Sequence, residues 1–158
     1  MGTTTDQKFL YVGVGNLLKR DDGVGVYMVN HLLGHGKNGL VVEQSIEKYV
    51  GKINTMPHEI LVLVDAVNFN QYPGYWKVIP ACQLHDQTTN THNISLRRIT
   101  TFFKKPVYIL GIQPANVSFG EGLSDLIQDV ADKIIREILD SGPELPSTGN
   151  NSWNCNDD

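Results

Sequence analysis

A chain of 158 residues, 19% of them charged, with a formal net charge of −4, fits one domain with a single ordinary core. The acidic balance argues against a nucleic-acid partner, because neutralising phosphates requires basic patches. The start "MGTTTDQKF" has no apolar signal region and, with Asp6 at the sixth position, fails the myristoylation pattern; no apolar run approaches the roughly 18–20 residues of a membrane span, so a cytoplasmic protein with no membrane partner is expected.

In chain order, "KFLYVGVG" is a short apolar run ending in glycine and reads as a buried strand. "DDGVGVYMVNHLLGHG" follows with an acidic start, an apolar face at Val24, Met28 and Leu32, and glycines that stop a helix. "LVVEQSI" reads as a second strand, and Tyr49 to Met56 as a short helix. "EILVLVDAV" is the strongest strand, an unbroken apolar run of the kind found in sheets covered on both faces, and it ends at Asp65. "QYPGYWKVIP" pairs a Pro-Gly turn with a short strand. The polar stretch "HDQTTNTHN" leads to an expected helix over "ISLRRITTFF", and "PVYILGIQP" is another buried strand. "LSDLIQDVADKIIREIL" carries the clearest helical period, with a stripe of Leu123, Leu126, Ile127, Val130, Ile134, Ile135 and Ile138. Residues 1–140 are expected to form the single domain. Residues 141–158, rich in Pro, Gly and Asn, are expected to be a disordered tail.

Strands alternating with helices predict an α/β fold: a three-layer α/β/α sandwich around a central twisted, mostly parallel sheet. In such a sheet the functional crevice lies at the carboxyl ends of the strands. Asp22 falls just beyond the first strand and Asp65 at the end of the central one.

The loop "GVGNLLKRDDGVGV" tests a nucleotide reading. A dinucleotide loop requires G-x-G-x-x-G; Gly13 and Gly15 match, but Leu18 stands at the third position. Asp21 and Asp22 would repel a pyrophosphate there, and no Walker lysine pattern occurs. Taken singly, either acid is better read as a helix cap. Asp65 is harder to explain away. A carboxylate directly after "ILVLV" sits against buried backbone, where an unpaired charge costs several kcal/mol. Its plain role would be to accept hydrogen bonds from a neighbouring loop. His92 reads either as a helix-start residue or as a ligand. His31 and His35 fit a solvated helix end, and His58 and His85 fit loops. Together, Asp22, Asp65 and His92 would make an open site for a borderline divalent metal, with positions left for water or substrate. The two cysteines, Cys82 and Cys155, suggest no cysteine metal site. No serine or cysteine nucleophile with an adjacent base is visible, and neither aspartate has the Asp-Thr/Ser-Gly context of an aspartic dyad.

Four segments, "GVGNLLKRDDGVGV", "LVLVDAVNFNQYPG", "TTNTHNISL" and "YILGIQPANVSFGEGLS", together resemble the nickel-iron hydrogenase maturation endopeptidases over about Phe9 to Leu139. "THN" followed by a small residue and Leu, with "LGIQP", is most similar to the branch serving formate-linked, energy-conserving membrane hydrogenases. The resemblance implies a cytoplasmic peptide-bond hydrolase whose partner is a hydrogenase large-subunit precursor, from which it removes a C-terminal extension after nickel insertion. It implies that Asp22, Asp65 and His92 are both the catalytic and the metal-contacting residues, that the nickel is carried by the substrate, and that cadmium or zinc can stand in for it in crystals. It also implies that no conventional protease triad is needed. The competing expectation is a non-catalytic metal- or nucleotide-binding module with a Rossmann-like fold.

Overall fold

The computed structural model describes residues 8–83 and 98–141. The elements are β1 (Phe9–Val14), a 3-10 turn (Arg20–Gly23) running into α1 (Val24–Gly34), β2 (Gly39–Glu43), a second 3-10 turn (Ile46–Tyr49) running into α2 (Val50–Thr55), β3 (Ile60–Ala66), β4 (Trp76–Pro80), β5 (Val107–Ile112) and α3 (Asp125–Asp140). One five-stranded sheet has the order β2-β1-β3-β5-β4. Its first four members run parallel, and β4 closes one edge antiparallel to β5.

The central place of β3 follows from its composition. Leu61, Val62, Leu63 and Val64 are all fully buried, and successive side chains enter opposite layers, as the two-residue period of a strand requires. Val62 and Val64 join Val24, Met28 and Leu32 of α1 and Ile127, Ile134 and Ile138 of α3. Leu61 and Leu63 join Ile46, Ile53 and Phe103 on the opposite face. The sheet is therefore covered on both sides, and the expected three-layer, mostly parallel architecture stands. The first helical layer is tied across by Tyr27 of α1, whose hydroxyl donates to Asp132 Oδ1 of α3 at 2.7 Å.

One local expectation changes. The buried stripe of α3 runs through Ile127, Ala131, Ile134, Ile135 and Ile138, whereas Leu126 is half exposed. Neighbouring helix positions are about 100° apart, so Leu126 leaves the core face and rests beside the turn at Gly74. Of the helix expected over "ISLRRITTFF", residues 94–97 lie outside the described residues; Arg98 and Ile99 are helical and run into a 3-10 turn at Thr100–Phe102, which leads Phe103 into the core. The tail from residue 142 also lies outside the described residues.

The close approach of helix to strand, which Leu18 denies to the dinucleotide pattern, is made by other glycines. A Cβ on Gly25 in the first turn of α1 would overlap the carbonyl oxygens of Val64 in β3 and Val14 in β1. A Cβ on Gly13 would lie 2.8 Å from the Gly25 carbonyl oxygen. Gly25→Ala is expected to lower stability by about 3 kcal/mol, because overpacking here pushes on backbone rather than on flexible side chains. Gly34→Ala, at the open end of the same helix with nothing within 4 Å, should instead be neutral or gain up to about 1 kcal/mol. Thermal melts of the two variants check the contrast.

Candidate active site

The carboxyl ends of the parallel strands surround an open cleft of about 510 Å³. Val14, Gly15 and Asn16 follow β1 into its wall, Glu43 and Gln44 follow β2, Ala66 and Asn68 follow β3, and residues 113–117 follow β5. Lys19 and Asp22 enter from the loop before α1. This is the crevice that a parallel sheet predicts, on the side that carries the acids.

Gly15 makes the first loop possible. Its φ of 145° belongs to glycine, and a Cβ there would overlap the Asp22 carbonyl oxygen. The chain can therefore fold back so that the Asn16 N–H donates to Asp22 Oδ2 at 2.9 Å. That bond directs the half-buried Asp22 to the cleft rather than to the helix: neither the 3-10 turn nor α1 has a side-chain cap, so capping fails for both acids. Arg20 and Glu43 hold left-handed backbone, with φ of 46° and 53°, and flank the same loop system. Glu43 also accepts the Gly15 N–H through its carbonyl, at 2.9 Å.

Asp21, the neighbour, has the opposite fate. It is fully buried and gathers the segment between β5 and α3. Its carboxylate accepts the N–H groups of Ala115 at 3.0 Å, Asn116 at 2.9 Å and Ser124 at 2.7 Å, and the Ser124 hydroxyl as well. Ser124 is the residue preceding α3, so Asp21 anchors the start of a helix about a hundred residues away. Sequence reasoning missed this role. The only available signal was a second acid beside Asp22 with no helix amides of its own to serve. Gln113 plays the matching part beyond β3: its Oε1 accepts the Phe69 N–H at 2.7 Å, and its Nε2 donates to Asn68 Oδ1 at 3.3 Å.

Asp65 lies at the end of β3, opposite Gly111 of β5, and is fully buried. It is not among the residues lining the cleft, although its neighbour Ala66 is. Burial pushes its carboxyl well above the usual carboxylate range, the Asp22 carboxylate pushes the same way, and a hydrogen bond with the Ala66 backbone opposes both. The fold therefore brings Asp22 and Asp65 within electrostatic reach of each other but places only Asp22 in the cleft wall.

The third expected residue, His92, lies outside the described residues, as does His85. His31 and His35 are exposed on α1 and bond the carbonyls of Tyr27 and His31, as a solvated helix end would. His58 is buried in the turn before β3 and bonds the Met56 carbonyl; burial lowers its pKa. Among the described residues no group of three His, Cys, Asp or Glu side chains could hold a metal on its own. No described helix is long and apolar enough to cross a membrane.

The upward shift of Asp65 has a thermodynamic consequence. A carboxyl whose folded pKa exceeds its unfolded value retains a proton in the folded state that the unfolded chain releases above about pH 4. Stability should therefore fall as pH rises from about 4 toward the folded value. Denaturant titrations of wild type and Asp65→Asn across pH 4–8 should show that slope in the wild type and a flatter profile in the variant.

Comparison with known proteins supports the same reading. Residues 44–141 match the family model described as HycI, hydrogenase maturation protease. A Methanocaldococcus jannaschii protein assigned as a hydrogenase maturation protease is 26% identical over 154 residues, covering 88% of this chain and 90% of its own. The crystal structure of the [NiFe] hydrogenase maturation protease HycI from Thermococcus kodakarensis superposes with a TM-score of 0.72 at 25% identity, covering 84% of this chain and 90% of that one. The hydrogenase maturating endopeptidase HybD from Escherichia coli shares the fold at a TM-score of 0.67 and 21% identity, covering 85% and 91%. With the matched region running from the cleft wall after β2 to the end of α3, this chain belongs to the hydrogenase maturation protease family.

Proposed function

We propose that this maturation endopeptidase removes the C-terminal extension of a hydrogenase large-subunit precursor and recognises it through a nickel ion that the precursor carries. The observation that supports this most directly is the pairing of Asp22, open to the cleft, with the buried Asp65 behind it. The Asp22 carboxylate adds to the cost of ionising the buried Asp65, and a cation delivered by the substrate relieves it. Asp22 then meets the ion from the cleft wall. Asp65 and His92 complete the set of three contacting and catalytic residues. Nickel suits this mixture of carboxylate and imidazole.

The reaction is hydrolysis of a peptide bond. Two routes fit the carboxylates: a carbonyl polarised by the substrate's own metal and attacked by water, or water activated by a carboxylate as general base. The formate-linked, energy-conserving branch is the proposed source of the precursor; Gln113 and Pro114 of its "LGIQP" segment line the cleft. The family match does not favour a non-catalytic metal- or nucleotide-binding module.

Incubation with nickel-loaded and nickel-free precursor, followed by mass measurement, tests the proposal. Loss of a C-terminal peptide from the loaded form alone is expected. Equal trimming of both forms defeats recognition through nickel, and trimming of neither defeats the assignment of substrate.

A further inference from the structure

We infer that the mouth of the cleft carries an apolar docking rim, formed by Leu17, Leu18, Val117 and Phe119, that grips apolar side chains of the precursor segment beside the bond to be cut. The inference rests on the cleft being where the precursor is processed. Among the described residues eight large apolar side chains are conspicuously exposed, and four of them belong to these two short loops. The other four, Leu33, Tyr72, Phe102 and Leu126, are distributed over separate elements. Phe119 is 79% exposed, the most of any of the eight. Apolar side chains scattered singly need no explanation, but four on two loops that are hydrogen-bonded to each other and reach the cleft wall at Val117 mark an interaction surface.

The rim is held in place. The Gly120 N–H donates to the Leu18 carbonyl at 2.9 Å, and the Arg20 N–H donates to the Gly120 carbonyl at 3.0 Å, so the two loops are stitched edge to edge. The N–H and hydroxyl of Ser118 both bond Asn116 Oδ1, and Asp21 clamps Ala115 and Asn116 from below. Exposed apolar groups on a backbone fixed this firmly lose little freedom when a partner arrives, which is what a docking surface needs. Val117 belongs both to the rim and to the cleft wall, so a chain leaving the cleft on this side crosses the rim. The cleft wall itself is rich in polar groups, Asn16, Lys19, Asp22, Glu43, Asn68 and Gln113 among them, and suits the ion and the peptide groups. The rim supplies the apolar contact that such a wall lacks. The fitting occupant is therefore an extended polypeptide with apolar side chains flanking the scissile bond.

The test uses nickel-loaded precursor and compares wild type with Leu18→Ser/Phe119→Ser, Phe119→Ser, Phe119→Leu and, on an exposed aromatic outside both the rim and the cleft lining, Tyr72→Ser. The double variant should raise KM about tenfold or more, with kcat within about twofold of wild type, as expected on losing an anchoring aromatic contact. Phe119→Leu should retain most of the affinity and Tyr72→Ser all of it. Calorimetric binding of the precursor reads the same loss without cleavage, so a wild type that binds but does not cut refutes the proposed function while the rim is still measured. If the double variant melts early, Phe119→Ser at its highly exposed position carries the test alone. Unchanged KM and binding in the rim variants, or an equal loss in Tyr72→Ser, overturns the inference. So does a wild-type dimer that the rim substitutions dissociate without changing affinity for precursor.

Discussion

Asp65→Asn is expected to yield an enzyme that is more stable at neutral pH and processes its precursor far more slowly. The carboxyl is fully buried, its ionisation is opposed first by burial and then by Asp22, and asparagine keeps its shape without the charge. Relieving that opposition should gain about 1–2 kcal/mol, or a few degrees in the melt, the usual sign of a site that trades stability for activity. The rate should fall by roughly 10²–10⁴, the range for losing an acid–base group. Asp22→Asn should fall by a comparable factor for a different reason. It can still accept the Asn16 N–H, so the loop survives, but it no longer offers an anion to the ion. Mass-spectrometric time courses on nickel-loaded precursor give the rates, and thermal melts give the stabilities. If either variant trims at the native rate, the carboxylates are not the working groups.

Asp21→Ala should produce the largest loss of stability. Its carboxylate is the acceptor for three backbone N–H groups and one hydroxyl in the segment between β5 and α3. Alanine leaves those donors without it in a largely closed environment. Hydrogen bonds to a charged acceptor are worth about 1.5–3 kcal/mol each, and losses within one cluster do not add fully. A deficit of about 3–5 kcal/mol is expected, lowering the melt by on the order of 10 °C for a chain of this size. Asp21→Asn, which keeps one acceptor oxygen, should lose about half as much. Amide exchange should quicken at Ala115, Asn116 and Ser124 before it does in β3. A melt within a degree or two of wild type would show that the segment is held by something else.

Much of the architecture was legible in the sequence because periodicity is a local property. The unbroken "ILVLV" run announced a strand covered on both faces, and the 3.6-residue recurrence of apolar side chains announced α3. The alternation of strands and helices put the cleft at the carboxyl ends of the sheet. Asp22 could also be placed there, since it follows the first strand by a few residues and a glycine turn. The pattern failed where neighbours had to be told apart. Leu126 and Ile127 both look like stripe residues, and only the helix phase set by packing on the sheet separates them.

From residue order alone came the α/β class, the crowded glycine loop and the acids at the strand ends. Folding decided which acid does what. Asp21 and Asp22 are adjacent and chemically identical, yet one is sealed beneath the segment before α3 while the other faces the cleft. Asp65, which composition could only mark as costly to bury, is placed within reach of Asp22 yet outside the cleft lining. The physical reason is that a carboxylate's role depends on the donors, charges and water around it. Those surroundings are assembled from loops about a hundred residues apart in the chain, and no local pattern carries that information.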